Sequence, residues 1–161
     1  MAKSTDISRG VVVQAVGTGH AVVNNLIVYA ASGTNNAAFC VDTSGLTIAG
    51  AFTTFDYNQC YHAAAWTSAY QSLATWQATS GAPDTHSLMA DPLLVGTPIQ
   101  ASPGNTGIGS ASPAKGAGTA VNMAKRDLTT CARPSPPSIG AYEYFASPCG
   151  TKPASSPSQL Q

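Results

Sequence analysis

Short runs of β-branched and aromatic residues, each broken after a few positions, fill the first third of this 161-residue chain. Gly, Asn, Ser or Asp bound the runs, and these residues favour turns. Because the runs are too short and too often interrupted for helices, they predict β-strands. The predicted strands are Val11–Val13, Val22–Val23, Leu26–Tyr29, Ala38–Val41, Leu46–Ile48 and Phe52–Phe55.

Two polar segments look like one site repeated along the chain, Asn24-Asn25-Leu26-Ile27 and Asp56-Tyr57-Asn58-Gln59-Cys60. Asn side chains at equivalent corners can bond to stacked backbone and to one another, forming a ladder. Coils stacked in this way bury a continuous core that no single coil buries alone. An ordinary β-sandwich gives similar short runs and is the alternative.

A break in the strand pattern predicts one short helix, Ser72–Ser80. Ser72 suits the N-cap, and Gly81 suits the position just past the last turn. Since Leu73 and Trp76 share a helical face, we expect Trp76 in the core.

The rest of the chain is rich in loops. Residues 96–138 are dense in Pro, Gly and Ser, and a final strand is expected at Ile139–Phe145. The length suits a single domain, which we place at residues 1–146. The Pro/Ser-rich tail, 147–161, is expected to be flexible.

The charge pattern argues against two classes of partner. Formal net charge is zero and only 9% of residues are charged, with Lys125-Arg126 as the only adjacent basic pair. We therefore expect neither nucleic-acid binding nor a membrane span, since no apolar run approaches ~18 residues. A neutral surface of hydroxyls and amides suits the hydroxyl groups of sugars.

Four cysteines, Cys40, Cys60, Cys131 and Cys149, allow three pairings if all are oxidised. An exported protein is the natural context for disulfides. The sequence after Met1 carries no apolar region typical of a signal peptide. We expect that the chain begins partway into a longer gene product, the alternative being a leader that has been removed.

Several motifs in the second half follow a recognisable order. They are Asp91-Pro92-Leu93-Leu94, Ser112-Pro113-Ala114, Ala117-Gly118-Thr119, Arg133-Pro134 and Ile139-Gly140-Ala141-Tyr142-Glu143-Tyr144. In this order they resemble the C-terminal end of pectate-lyase-like proteins, the right-handed parallel β-helices of secreted bacterial proteins. The sequence departs from that pattern at Lys115-Gly116 and at Ser138, where the family has carboxylates.

The resemblance implies an all-β fold. We expect a fragment of a right-handed parallel β-helix (a solenoid) of about two to three coils, with one short helix and an irregular closing segment. Cys40 and Cys60 would lie on neighbouring coils, and a Cys131–Cys149 bridge would pin the tail. Glu143 and Arg133 would bind backbone and each other near the end of the solenoid. An open coil end exposes unpaired strand edges, which predicts a homo-oligomer.

The titratable residues offer two groups of candidate catalytic residues. Asp84, His86 and Asp91 place a histidine near two carboxylates, as general acid–base catalysis requires. A structural corner, with the carboxylates capping backbone N–H groups, is the alternative. Asp56 and His62 form the other group, in which Asp56 suits a calcium-dependent lyase site.

The remaining candidates would bind substrate. Lys125 or Arg126 could provide the base of a lyase, although nothing in the sequence places either beside Asp56. Tyr57, Trp66 and Tyr70 could stack on sugar rings, with Trp66 and Tyr70 expected to be exposed. Calcium is the metal that such a lyase site would bind.

These features together predict an extracellular or cell-surface protein that acts on polysaccharide. A carbohydrate-cleaving enzyme, a glycosidase or a lyase, is the leading interpretation. The alternative is a non-catalytic glycan-binding, adhesion or structural module.

Overall fold

The computed structural model describes residues 8–12, 19–29, 38–42, 52–61, 63, 65–67, 70, 72–78, 84–95 and 107–146. Nine short strands and one helix lie within these ranges. In chain order they are β1 (Ser8–Val12), β2 (His20–Val23), β3 (Leu26–Val28), β4 (Ala38–Asp42), β5 (Phe52–Asp56), β6 (Gln59–Tyr61), α1 (Leu73–Ala78), β7 (Leu88–Met89), β8 (Leu94–Val95) and β9 (Gly107–Ile108).

The strands form four separate small sheets. β1 pairs with β4, β2 with β5, and β6 lies between β3 and β7, all in parallel. β8 and β9 form an antiparallel pair. The prediction of a parallel β-helix is therefore wrong: no continuous solenoid sheet runs through the described residues.

The closing segment also lacks its predicted strand. In residues 109–146 the backbone is held by turns and by side chains rather than by a strand ladder. The predicted final strand at Ile139–Phe145 is absent. Gly140 adopts a left-handed φ of 101°, and Arg133 Nη2 binds the carbonyls of Gly140 and Ala141, each at 3.0 Å. These bonds replace those that a neighbouring strand would make.

Most of the other predicted elements are confirmed within the described residues. Five of the predicted strands coincide in whole or in part with β1, β2, β3, β4 and β5. Leu46–Ile48 and the tail 147–161 lie outside the described residues. The helix begins after its predicted N-cap, because the Thr75 amide donates to Ser72 Oγ at 3.1 Å.

Two clusters of apolar residues hold the described parts together. The larger one is made of the buried side chains Cys40, Val41, Phe55, Cys60, Trp66 and Trp76. It includes the Cys40–Cys60 disulfide, which links β4 to β6. The smaller one, Ile108, Ala114 and Ile139, lies under the closing segment. Cys131 is also disulfide-bonded, and since Cys149 lies outside the described residues, their pairing stays a prediction.

The predicted equivalence of the two polar segments is confirmed by direct contacts. Leu26 and Ile27 pair with Gln59 and Cys60, which brings Asn25 beside Asn58. Asn25 Nδ2 donates to Asn58 Oδ1 at 2.9 Å. Asn58 is 1% exposed and Asn25 is half-buried, so this amide bond is partly shielded from solvent. The amide pair fixes the parallel register at the corner before β3 and β6.

The closing segment docks on the same corner. Asn24 Nδ2 donates to the Thr119 carbonyl at 2.8 Å, and the Thr119 amide donates to Asn24 Oδ1 at 2.9 Å. The Gly140 amide donates to the Asn24 carbonyl at 3.0 Å. Asn24 thus ties residues 119–140 to the strands.

Candidate functional site

The site lies where β5 ends. Tyr57 adopts a left-handed φ of 58°, as Asn24 does at the equivalent corner with 59°, and this conformation turns the chain after Asp56. The Tyr57 amide donates to Asp56 Oδ1 at 2.8 Å. Asp56 is 7% exposed, so its carboxylate lies almost wholly inside the protein.

Asp56 binds both the backbone amide and the ring of His86. Asp56 Oδ1 accepts a hydrogen bond from the His86 amide at 2.6 Å, and Oδ2 lies 2.7 Å from His86 Nδ1. The Thr85 hydroxyl lies 3.0 Å from the same ring nitrogen. With Nδ1 facing a carboxylate, the tautomer with its proton on Nδ1 is favoured, and Nε2 keeps its lone pair.

The His86 ring lies face to face with the ring of Tyr57. The two rings stack with centroids 4.4 Å apart and an interplanar angle of 2°. The side chain of His86 is 56% exposed. A fixed imidazole therefore faces solvent beside an aromatic ring.

Asp84 lies behind this pair in the interior. It is fully buried, and Trp76 Nε1 donates to its Oδ2 at 2.8 Å. Burial raises the pKa of Asp84 to about 6; bonds from Ser87 and Trp76 lower it, and the neighbouring Asp56 raises it further. Asp84 Oδ1 is buried and meets no hydrogen-bond partner among the described groups.

Asp91 belongs to a different contact. Its Oδ1 accepts from the Leu93 amide at 2.8 Å, which is the capping role that the alternative interpretation gave it. A hydrogen bond from the Tyr61 hydroxyl to Asp91 raises the pKa of Tyr61. Asp91 is exposed at this turn. The predicted grouping of Asp84, His86 and Asp91 is thus replaced by Asp84, Asp56 and His86.

The other candidate residues do not join this site through any hydrogen bond or ring contact described for them. Trp66 was expected to be exposed but is fully buried, because residues 65–67 run beside β4, where the Val41 amide donates to the Trp66 carbonyl. Tyr70 is half-buried and packs edge-on against Trp76, with centroids 5.4 Å apart. His62 lies outside the described residues.

Lys125 and Arg126 lie in the closing segment, residues 109–146. They belong to a hairpin in which Arg126 bridges to Ala132 and the Arg133 amide donates to the Lys125 carbonyl. Arg126 Nη1 donates to the Thr130 carbonyl at 2.6 Å. No group of three or more His, Cys, Asp or Glu side chains within the described ranges could hold a metal ion.

The pairing of Asp56 with His86 was not anticipated, although the sequence carried a signal for it. β6 pairs with β7 so that Gln59 lies opposite Leu88. Extending the repeated polar segment by one more step would have placed Asp56 beside Thr85 and His86. The Asn58 amide, which donates to Ser87 Oγ at 2.9 Å, continues the same row of contacts.

The functional assignment rests on this geometry rather than on a known relative. No family model, curated protein or solved structure matches the chain.

Proposed function

We propose that this protein is an extracellular carbohydrate-cleaving enzyme in which His86 transfers the proton. The observation that carries the proposal is the exposed imidazole of His86 fixed on the buried carboxylate of Asp56 at 2.7 Å. A general base must be accessible to substrate and must present the correct nitrogen, and both requirements are met here. Asp56 acts as a positioning residue because it reaches the reacting group only through His86.

The burial of the carboxylates favours elimination over hydrolysis. Glycoside hydrolysis requires two carboxyl groups that flank the glycosidic bond and contact it directly. Asp56 and Asp84 are 7% and 0% exposed, so neither can contact a polymer outside the protein. A lyase requires instead one base beside the sugar ring, which is what His86 offers.

His86 and water together supply the proton acceptor and the proton donor that the elimination needs. His86 Nε2 takes the proton from C5 of a uronate unit, and that electron pair forms the C4–C5 double bond. The bond from C4 to the glycosidic oxygen breaks, and the departing oxygen takes a proton from water. The imidazolium of His86 then returns its proton to solvent, while Asp56 stabilises the charged ring.

The residues around His86 are suited to binding a sugar. Because the rings of Tyr57 and His86 stack on each other, the pair offers the outer face of one ring to the C–H groups of a pyranose. The Cys40–Cys60 disulfide is compatible with an oxidising compartment. Within the described residues, no helix has the length and apolar character needed to cross a membrane.

A non-catalytic glycan-binding module is the second candidate, and the same stacked pair favours it. The outer face of such a stacked pair can bind a pyranose without any proton transfer. In that case Asp56 only holds the ring in place.

The test is product release from a panel of neutral and uronate-containing polysaccharides, with and without a chelator. The lyase predicts unsaturated oligosaccharides, seen by their ultraviolet absorbance, from the uronate polymers only. Saturated products would overturn elimination in favour of hydrolysis. Binding without product from any polymer would favour the module, and loss of activity with the chelator would implicate a metal such as calcium.

A further inference from the structure

The backbone of Tyr57 is strained. Its φ is 58°, and within the described ranges it is the only aromatic residue with a left-handed φ. Glycine and asparagine enter this conformation readily, whereas a bulky side chain there is unfavourable. The chain itself shows the less strained choice: Val23 pairs with Asp56, and the residue that follows Val23 is Asn24, with a φ of 59°. Strain of this kind persists where the surrounding structure requires the side chain, and it is concentrated at functional sites.

The side chain of Tyr57 packs on His86. Gln59 lies opposite Leu88, and counting back two residues sets Tyr57 opposite His86. The two rings accordingly stack with centroids 4.4 Å apart and an interplanar angle of 2°. Tyr57 is half-buried, whereas the side chain of His86 is 56% exposed. The tyrosine ring therefore covers one face of an imidazole that stays accessible to solvent elsewhere.

The hydrogen bonds of the His86 ring and its stack restrain different motions. The described bonds of the ring are made at Nδ1, to Asp56 Oδ2 at 2.7 Å and to the Thr85 hydroxyl at 3.0 Å. They decide which edge of the ring faces the interior. The stack decides the plane, since the imidazole cannot tilt toward Tyr57 and loses contact when it tilts away. The lone pair of Nε2 lies in that plane, so the direction in which His86 accepts a proton depends on Tyr57.

We propose that Tyr57 is a positioning residue that holds the plane of the His86 imidazole, and that its left-handed backbone conformation is retained for this contact. The inference rests on the proposed function in taking His86 as the group that accepts the proton. Asp56 selects the nitrogen that faces outward, and Tyr57 sets its direction. The order of the ring is measured without any substrate, so it is tested separately from cleavage.

The first measurement is the NMR order parameter of the His86 ring C–H bonds, from carbon-13 relaxation of the folded protein. Wild type and Tyr57→Phe should give values of about 0.85, because either aromatic ring can stack. Tyr57→Asn should fall below about 0.6, since Asn lacks the ring but suits the left-handed φ, as Asn24 does. The matched control is Tyr142→Asn, at another half-buried tyrosine, which should leave the order at the wild-type value. Undiminished order in Tyr57→Asn, or lost order in Tyr57→Phe, would overturn the proposal.

The second measurement is the rate of elimination from a uronate polysaccharide by the same variants. Tyr57→Asn should lower kcat at least about tenfold with KM nearly unchanged, because a misdirected Nε2 impairs proton transfer rather than binding. Tyr57→Phe should keep the kcat of the wild type. A higher KM at unchanged kcat in Tyr57→Asn would make Tyr57 a binding residue and overturn the positioning role. If the wild type releases no product, the proposed lyase fails, and the order parameters alone decide whether Tyr57 holds His86.

Discussion

Asp56 and His86 are 30 residues apart in the chain, yet the Asp56 carboxylate holds both the backbone amide and the ring of His86. The contact depends on the parallel pairing of β6 with β7, which brings residues 84–89 alongside the end of β5. Asp56 is buried and His86 is exposed, so their contact connects an interior carboxylate to a side chain on the protein surface. The neighbouring Asp84 is fully buried.

Asp84→Asn is expected to change how stability depends on pH. The folded protein holds the pKa of Asp84 at about 6, above its usual 3.8, so it binds this proton more tightly than the unfolded chain does. That stabilisation is full below about pH 3.8 and is lost as the pH rises through about 6. Asn keeps an oxygen for Trp76 and never ionises. As the pH rises from about 4 to about 8, the wild type should lose roughly 2–3 kcal/mol of unfolding free energy relative to the Asp84→Asn variant.

Urea unfolding across this pH range measures the effect, and Asp127→Asn, followed from about pH 4 downward, is a control of opposite sign. Burial alone would raise the pKa of Asp127, but donors from Thr129, Glu143 and Cys131 outweigh it and lower that pKa. Asp127 therefore stabilises the fold above its usual pKa, and that contribution is lost as the pH falls. A stability difference between Asp84→Asn and wild type that does not change with pH would contradict the raised pKa of Asp84.

Arg133→Ala is expected to destabilise the protein strongly. The side chains of Arg133 and Glu143 are only 8% and 1% exposed, so the change leaves a buried carboxylate without its partner. Breaking a buried pair in this way costs about 3–5 kcal/mol. Arg126→Ala is the matched control, because Arg126 is exposed and should cost less than about 1 kcal/mol. Equal losses in chemical unfolding would show that the ion pair does not hold the closing segment.

The amide pair of Asn25 and Asn58 predicts a measurable coupling. Asn58→Ala removes the bonds that this buried side chain makes to Asn25, to the Val22 carbonyl and to the Asp56 carbonyl, and should cost about 2–3 kcal/mol. Asn25→Ala should cost less, because Asn25 is only half-buried. In a double-mutant cycle the two changes should couple by at least about 0.5 kcal/mol. Strict additivity would mean that the ladder bond makes no contribution of its own.

Features set by local chemistry could be predicted from the sequence. Ser72 caps α1, and Trp76 is buried, as expected from residue types a few positions apart. Arg133 and Glu143 bind each other and nearby backbone because both lie in one turn-rich segment. Each case needs only short-range geometry.

Features that depend on distant parts of the chain were predicted less well. The burial of Trp66 follows from the path of residues 65–67 beside β4, which their Ala/Ser-rich composition does not reveal. The partner of His86 was sought among carboxylates close in sequence, whereas the carboxylate it contacts is Asp56. The predicted solenoid required every strand to find a parallel neighbour, but β8 and β9 pair antiparallel and side chains hold the closing segment. Self-association through an open end stays a prediction.

The most direct test of the account compares cleavage of a uronate polysaccharide by wild type, His86→Ala and Asp91→Asn, with the fold of each checked by circular dichroism. Both changed residues are exposed and neither lies in a core cluster, so both variants should fold. The account predicts that His86→Ala lowers the rate of product formation at least about a hundredfold, because it removes the general base. Asp91→Asn should keep a rate close to that of the wild type. Full activity in folded His86→Ala would contradict the account.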